Sequence, residues 1–239
     1  MPRFPSENSR AATVAGLVAL GILLILILAA IMEDDPDKDY IRARLGLRSK
    51  RTVNLLVAGG CIRPGIPAHS EQNQLPFSVF AQHLQNAYPG STVNVVQPHK
   101  SDSTAAELTA LLPDSLRRHR PQITIICLGG ADYLRGTAIA EYAQHCRSLF
   151  SQASDSGGFV IVLFAALPET DAAAQLAAAT RHTAADAGIA CVDFGAVLRH
   201  SGIPMQTLCP NDATLSTQGI LLLANALGEI WRLRGAQLH

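Results

Sequence analysis

The chain is poor in several things, and each shortage removes a class of function. Its 239 residues carry no net charge, with 19 basic and 19 acidic side chains, and only 5% are aromatic. A neutral chain with few aromatics has no electrostatic footprint for nucleic acid. The five cysteines, Cys61, Cys127, Cys146, Cys191 and Cys209, are far apart, with no CxxC pair and no Cys/His cluster. That excludes the usual zinc patterns. Cys127 and Cys191 sit inside apolar strand-like runs, where a cysteine serves as a small hydrophobe. No internal repeat is present. Gly59-Gly60 belongs to neither GxGxxG nor GxxxxGK[ST], so no nucleotide loop is expected. No arginine stands six residues after Cys61, which removes the phosphatase loop. No metal or cofactor is expected.

What the chain does have begins with Ala11 to Met32, 22 apolar residues without a charge. At 1.5 Å per residue this matches a hydrocarbon core of about 30 Å. It is longer than a signal-peptide core of about 7–15 residues and lacks a small-x-small cleavage site, so a retained anchor is expected. Arginine and lysine counts alone would place the C-terminal side inside, but long domains translocate regardless of charge, and the rule does not decide. The expected organisation is a tail at 1–10, a transmembrane helix at 11–32, a juxtamembrane linker at 33–52 and one domain at 53–239. The linker starts acidic, from Glu33 to Asp39, and turns basic, from Arg42 to Arg51, with a short helical turn expected at Tyr40 to Leu47. The bilayer is the first expected partner. Membrane proteins contacting the 11–32 helix, through small positions such as Ala15-Gly16, and the linker are the second.

From Val53 onward strands and helices alternate. Strands are expected at Val53–Ala58, Thr92–Val96, Gln122–Leu128, Phe159–Ala165 and Ile189–Phe194. Helices are expected at Phe77–Ala87, Thr104–His119 with a kink or break at Pro113, Ile139–Ala153, Thr170–Ala187 and Ser216–Leu233. This pattern predicts a three-layer α/β domain with a parallel sheet. In such sheets the ligand site lies beyond the carboxyl ends of the strands. Cys61, delivered by VNLLVAGGCIR just after the first strand, stands where a nucleophile would stand.

Four strand-end blocks in order resemble the SGNH (GDSL-like) hydrolase family, from Val53 to about Leu233. The resemblance implies a flavodoxin-like sheet of order 2-1-3-4-5, with the site over strands one and three. In LLVAGGCI, Gly59 matches the family's Gly-Asp-Ser, Gly60 replaces the aspartate and Cys61 the nucleophilic serine. In the second block Asp102 stands for the oxyanion-hole glycine. In IICLGGADYLRG, Gly129 and Asp132 remain and Ala131 replaces the oxyanion-hole asparagine. In NDATLSTQG, Asp212 remains and Leu215 takes the place of the catalytic histidine.

The chemistry of these replacements is unfavourable to hydrolysis. A serine-type hydrolase needs a base beside its nucleophile and donors aimed at the oxyanion. Leu215 moves no proton, Ala131 donates no hydrogen bond, and Asp102 adds negative charge. No catalytic residue is therefore expected at Cys61, Asp102, Ala131, Asp212 or Leu215. Three readings of Cys61 stay open: a pocket-lining residue, a bridge to Cys209 near the last block, or a nucleophile with His99 or His69 as base. Asp132 is expected to cap or bond local backbone, Arg135 to be a surface residue, Asp193 to be a turn or cleft carboxylate and Trp231 to pack. The functional expectation is an inactive, membrane-anchored accessory or scaffold subunit. The alternatives are an acyl-ester hydrolase or acyltransferase acting on envelope polysaccharide or lipid esters, and a carbohydrate- or lipid-binding module. The apolar run implies a single-pass membrane protein, expected in the bacterial inner membrane, and the resemblance implies a periplasmic domain.

Overall fold

The structure, a computed structural model, describes residues 37–49, 51–59, 71–99, 102–210 and 215–236, with the backbone alone at 71–75 and 236. The expected anchor at 11–32 lies outside the described residues. Among the described residues, no helix is long and apolar enough to cross a membrane.

In chain order the elements are α1 (Lys38–Arg48), β1 (Thr52–Ala58), α2 (Glu71–Ala87), β2 (Thr92–Val96), α3 (Ala105–His119), β3 (Ile123–Leu128) and α4 (Gly130–Arg135). They continue with α5 (Ile139–Asp155), β4 (Phe159–Phe164), α6 (Asp171–Asp186), β5 (Ala190–Asp193), α7 (Phe194–His200), α8 (Met205–Leu208) and α9 (Thr217–Ala236). The five strands form one parallel sheet in the order β2-β1-β3-β4-β5.

Continuous apolar strands serve two cores because successive side chains face opposite ways. Val53, Leu55 and Val57 join Ile125, Ile161 and residues of α1, α2 and α9 on one face. Leu56, Ala58, Ile126 and Val162 join α3, α5 and α6 on the other. β3 and β4 are buried at every position, as a strand covered on both faces must be.

Four details differ from expectation. Residues Tyr40 to Leu47 belong to a longer helix, and Tyr40, Ala43 and Leu47 are fully buried against the domain. Tyr40 stacks with Trp231 at a ring separation of 4.6 Å. Pro113 does not break α3, which runs on to His119. A proline leaves the carbonyl four residues earlier without its donor. Here the Gln152 side chain donates to the Thr109 carbonyl at 3.3 Å and fills that gap. The fifth strand ends at Asp193, because its carboxylate accepts from Ala196 N and caps α7. The short helices α4, α7 and α8 were not anticipated; each is too short for a periodicity to show.

Candidate active site

The carboxyl ends of β1 and β3 are shaped by residues that only a tight backbone explains. Gly59, after β1, has φ +77°, and a Cβ there would stand 2.5 Å from the Cys127 carbonyl oxygen. Gly129, after β3, has φ +95°, and a Cβ there would run into the Phe164 ring. Both positions therefore demand glycine on conformation and on space. Gln97 donates to the Gly59 carbonyl at 3.3 Å and ties the β2 end to the β1 end.

Asp132 is buried on α4, and both its carboxylate oxygens accept from Ala105 N, at 3.1 and 3.3 Å. It thus bonds backbone as expected, but at the start of α3, 27 residues away in sequence rather than locally. Burial raises its pKa, against the hydrogen bonds from Ala105 and Thr137. The same corner has an outer latch. Arg135 Nη1 pairs with Glu107 at 2.7 Å, while Arg135 Nη2 donates to the Asp102 carbonyl at 3.2 Å. Glu107 in turn completes a capping box with Thr104. Arg135 is a surface residue, as expected, with a fixing role. Asp102 is exposed and lies in the field of Arg135, so its charge is offset.

Ala131 is buried, and its methyl packs with Ala165 and Leu167. Leu215 is buried in the apolar core on the α9 side, just before Ser216, which caps α9 by accepting from Gly219 N at 3.2 Å. Neither side chain can donate or accept a hydrogen bond. Cys61, Asp212 and His69 lie outside the described residues. Cys209 is buried with a free thiol, so the bridge that the resemblance left open finds no support at that end. His99 is buried, its Nε2 has no hydrogen-bond partner, and its pKa is lowered by burial and by the nearby His119. It is neutral at neutral pH, and it is held near a residue that closes α3. Burial also pushes the Cys146 and Cys191 thiols up to about 12.

Among the described residues, one cavity at this end of the sheet lies toward the far edge. About 420 Å³ opens where β4 and β5 end, lined by Leu167, Thr170, Arg181, Asp193 and Arg199 among others. Arg181 pairs with Asp193 at 2.8 Å, and Arg199 approaches Glu169 at 3.8 Å. Of this cavity only Asp193 drew notice in the sequence. The two arginines belong to separate helices and carry no local signature.

A parallel 2-1-3-4-5 sheet, glycine-turned strand ends over β1 and β3, and an aspartate clamping the α3 start together define an α/β domain of the hydrolase type. The GDSL-like lipase/acylhydrolase family model matches residues 57–220, and the chain belongs to that family. Esterase TesA of Pseudomonas aeruginosa is 32% identical over 114 residues, covering 48% of this chain and 55% of that protein. The match thus spans about half the length of this curated relative. Among solved structures, TesA shares 24% identity over 76% of this chain and 99% of its own, with TM-score 0.60. EstA of Pseudoalteromonas sp. shares 13% over 74% and 94%, with TM-score 0.59. A Clostridium thermocellum family 3 carbohydrate esterase shares 18% over 76% and 98%, with TM-score 0.59. At these identities the structures establish a shared fold.

Proposed function

We propose that this GDSL-family domain has given up acyl hydrolysis and works as an accessory or scaffold subunit, anchored through residues 11–32 in a bacterial inner membrane with its domain in the periplasm. The observation that carries the loss of chemistry is Ala131. Where an oxyanion donor would stand, a buried methyl packs against Ala165 and Leu167. Removing one such donor typically costs about 10²–10³ in rate.

The pattern of retained and replaced residues supports the same reading. Gly59, Gly129 and Asp132 are retained, and each has a structural task in turn geometry or helix clamping. The replaced positions Ala131 and Leu215 have no task other than packing. A domain used for its shape needs the first set and not the second. The anchor rests on the apolar stretch itself, and the periplasmic side rests on the family resemblance.

The second reading is an acyl-ester hydrolase or acyltransferase using Cys61. The relatives' names, esterase and carbohydrate esterase, favour it. Short p-nitrophenyl esters separate the two. The proposal expects turnover by the purified full chain to equal that of Cys61→Ala. Turnover that the substitution abolishes would establish the hydrolase and overturn the proposal. Separately, carbonate extraction of membranes from expressing cells tests the anchor, and a chain released into the soluble fraction would refute it.

A further inference from the structure

The amino-terminal edge of the sheet, opposite the candidate active site, carries an unusual charge. Arg51 precedes β1 and Arg120 precedes β3; Arg117 and Arg118 close α3; Arg42 and Arg48 lie on the outer side of α1. All six are exposed, Arg117 to 81% and Arg118 to 70% of the side chain. Arg42, Arg117 and Arg120 line one open groove of about 740 Å³, floored by Leu116 and Pro121. The described carboxylates beside them are Asp37, just before α1, Asp39, which pairs with Arg42, Asp114, which pairs with both Arg117 and Arg118, and Asp155 in the groove. Six arginines against four carboxylates leave these residues net positive in a chain whose net charge is zero.

Part of this has an ordinary cause. Helices of a parallel α/β domain end at this edge, and basic residues there complement the helix dipole. That accounts for Arg48, Arg117 and Arg118. It does not account for Arg51, which precedes a strand, or for Arg42 in the first half of α1. It accounts least for Arg120, the one positive-φ residue other than glycine among those described, at φ 42° in the position that closes α3. That place ordinarily takes glycine. An arginine held there against its backbone preference points to use of its charge.

The outer side of α1 adds an apolar element. Leu45 is 56% exposed between Arg42 and Arg48, while Tyr40, Ala43 and Leu47 face inward. This sets one apolar side chain among basic ones on the outer side of the helix, a combination that suits an anionic membrane surface.

We propose that this arginine-rich edge, formed by α1 and the α3–β3 junction, docks on anionic lipid headgroups. The docking leaves the carboxyl-end site turned toward solvent or a partner. The inference rests partly on the anchor reading above, and its test separates the two.

The full chain is reconstituted in nanodiscs of phosphatidylcholine alone or with phosphatidylglycerol, and its arginines are modified with phenylglyoxal and read by mass spectrometry. In anionic discs Arg42, Arg117 and Arg120 are expected to react roughly fivefold more slowly than in neutral discs, since anionic surfaces attract basic groups strongly at short range. Arg199, at the opposite end, should react equally in both. The difference should vanish in about 0.5 M salt, where the screening length is only a few ångströms. It should also vanish at Arg42 in the double variant Arg117→Glu with Arg118→Glu, whose folding is checked by circular dichroism. A chain that does not insert is mixed with vesicles of the same two compositions. Lipid-dependent protection in that case sinks the anchor and keeps the docking edge. Equal reactivity in both lipids overturns the docking edge. So does protection by soluble polyglutamate but not by anionic lipid, which would assign the edge to an acidic protein.

Discussion

The two ends of the sheet are built on different principles. At the carboxyl end of β1 and β3 the constraints are steric and local. Gly59 and Gly129 lie at positive φ with no room for a side chain, and Asp132 is buried on a backbone amide. At the amino end the constraints are electrostatic and loose, with arginines exposed and paired, where paired at all, to surface carboxylates. At one end an added side-chain atom meets backbone or a ring, whereas at the other the arginine side chains stand in open space.

The sharpest way to break the comparison is at Gly59. Gly59→Ala places a methyl 2.5 Å from a backbone oxygen at a φ that costs about 1–2 kcal/mol for any L side chain. With the clash, a loss of about 3 kcal/mol or more is expected in urea unfolding. A loss under about 1 kcal/mol would show that the carboxyl end is not rigid.

Asp132 ranks next. Asp132→Ala leaves Ala105 N without its acceptor and is expected to cost about 1–3 kcal/mol. Asp132→Asn keeps an acceptor and should cost less. The two side chains also differ with pH. The folded state raises the Asp132 pKa through burial, so the folded chain holds that proton longer than the unfolded chain. The favourable contribution is complete below the unfolded value of about 3.9 and is lost as pH rises through the folded value. Asp132→Asn should therefore gain on the wild type between pH 4 and pH 7, measured by denaturant midpoints. A constant difference across that range would mean that Asp132 is not the titrating group.

The steric end was largely legible in sequence and the electrostatic end was not. Strands written as continuous Val/Ile/Leu runs carry their own signature, so the parallel sheet could be read in advance, while its order came from the family resemblance and the steric demand at Gly59 and Gly129 from the structure. Ala131 could be read too, because its neighbours Gly129 and Asp132 fix the alignment. By contrast, Arg42, Arg117 and Arg120 are scattered over 79 positions and line one groove only because α1 and the end of α3 come together in the fold. The β4–β5 cavity was hidden for the same reason. The helix through Pro113 was expected to kink or break there; it does not break, and the donor that serves the freed carbonyl, Gln152, comes from another element. Leu215 read as a lost base, and the structure adds that its side chain is buried in the core.

His99 offers a smaller effect. Its folded pKa is lowered, chiefly by burial, so the folded state resists the proton that the unfolded state accepts. Its contribution is present above about pH 6.5 and is lost as pH falls below that value. His99→Gln should reduce the drop in stability between pH 7 and pH 5. An unchanged drop would show that other groups carry it.

The smallest effects belong to the arginine edge, and there the comparison predicts opposite signs for stability and for surface behaviour. Arg117→Ala removes one exposed ion pair with Asp114 and should change stability by no more than about 0.5 kcal/mol. Arg120→Gly should raise it by up to about 1 kcal/mol, because glycine occupies the left-handed position at φ 42° without strain. If that edge served only the fold, the glycine variant would be better in every respect. If it serves a membrane, the same variant gains in urea unfolding and loses lipid-dependent protection of Arg42. A variant that gains stability and keeps that protection in full would place the charge requirement elsewhere on the edge. A variant that loses stability would mean that Arg120 makes a folded-state contact worth more than its backbone strain.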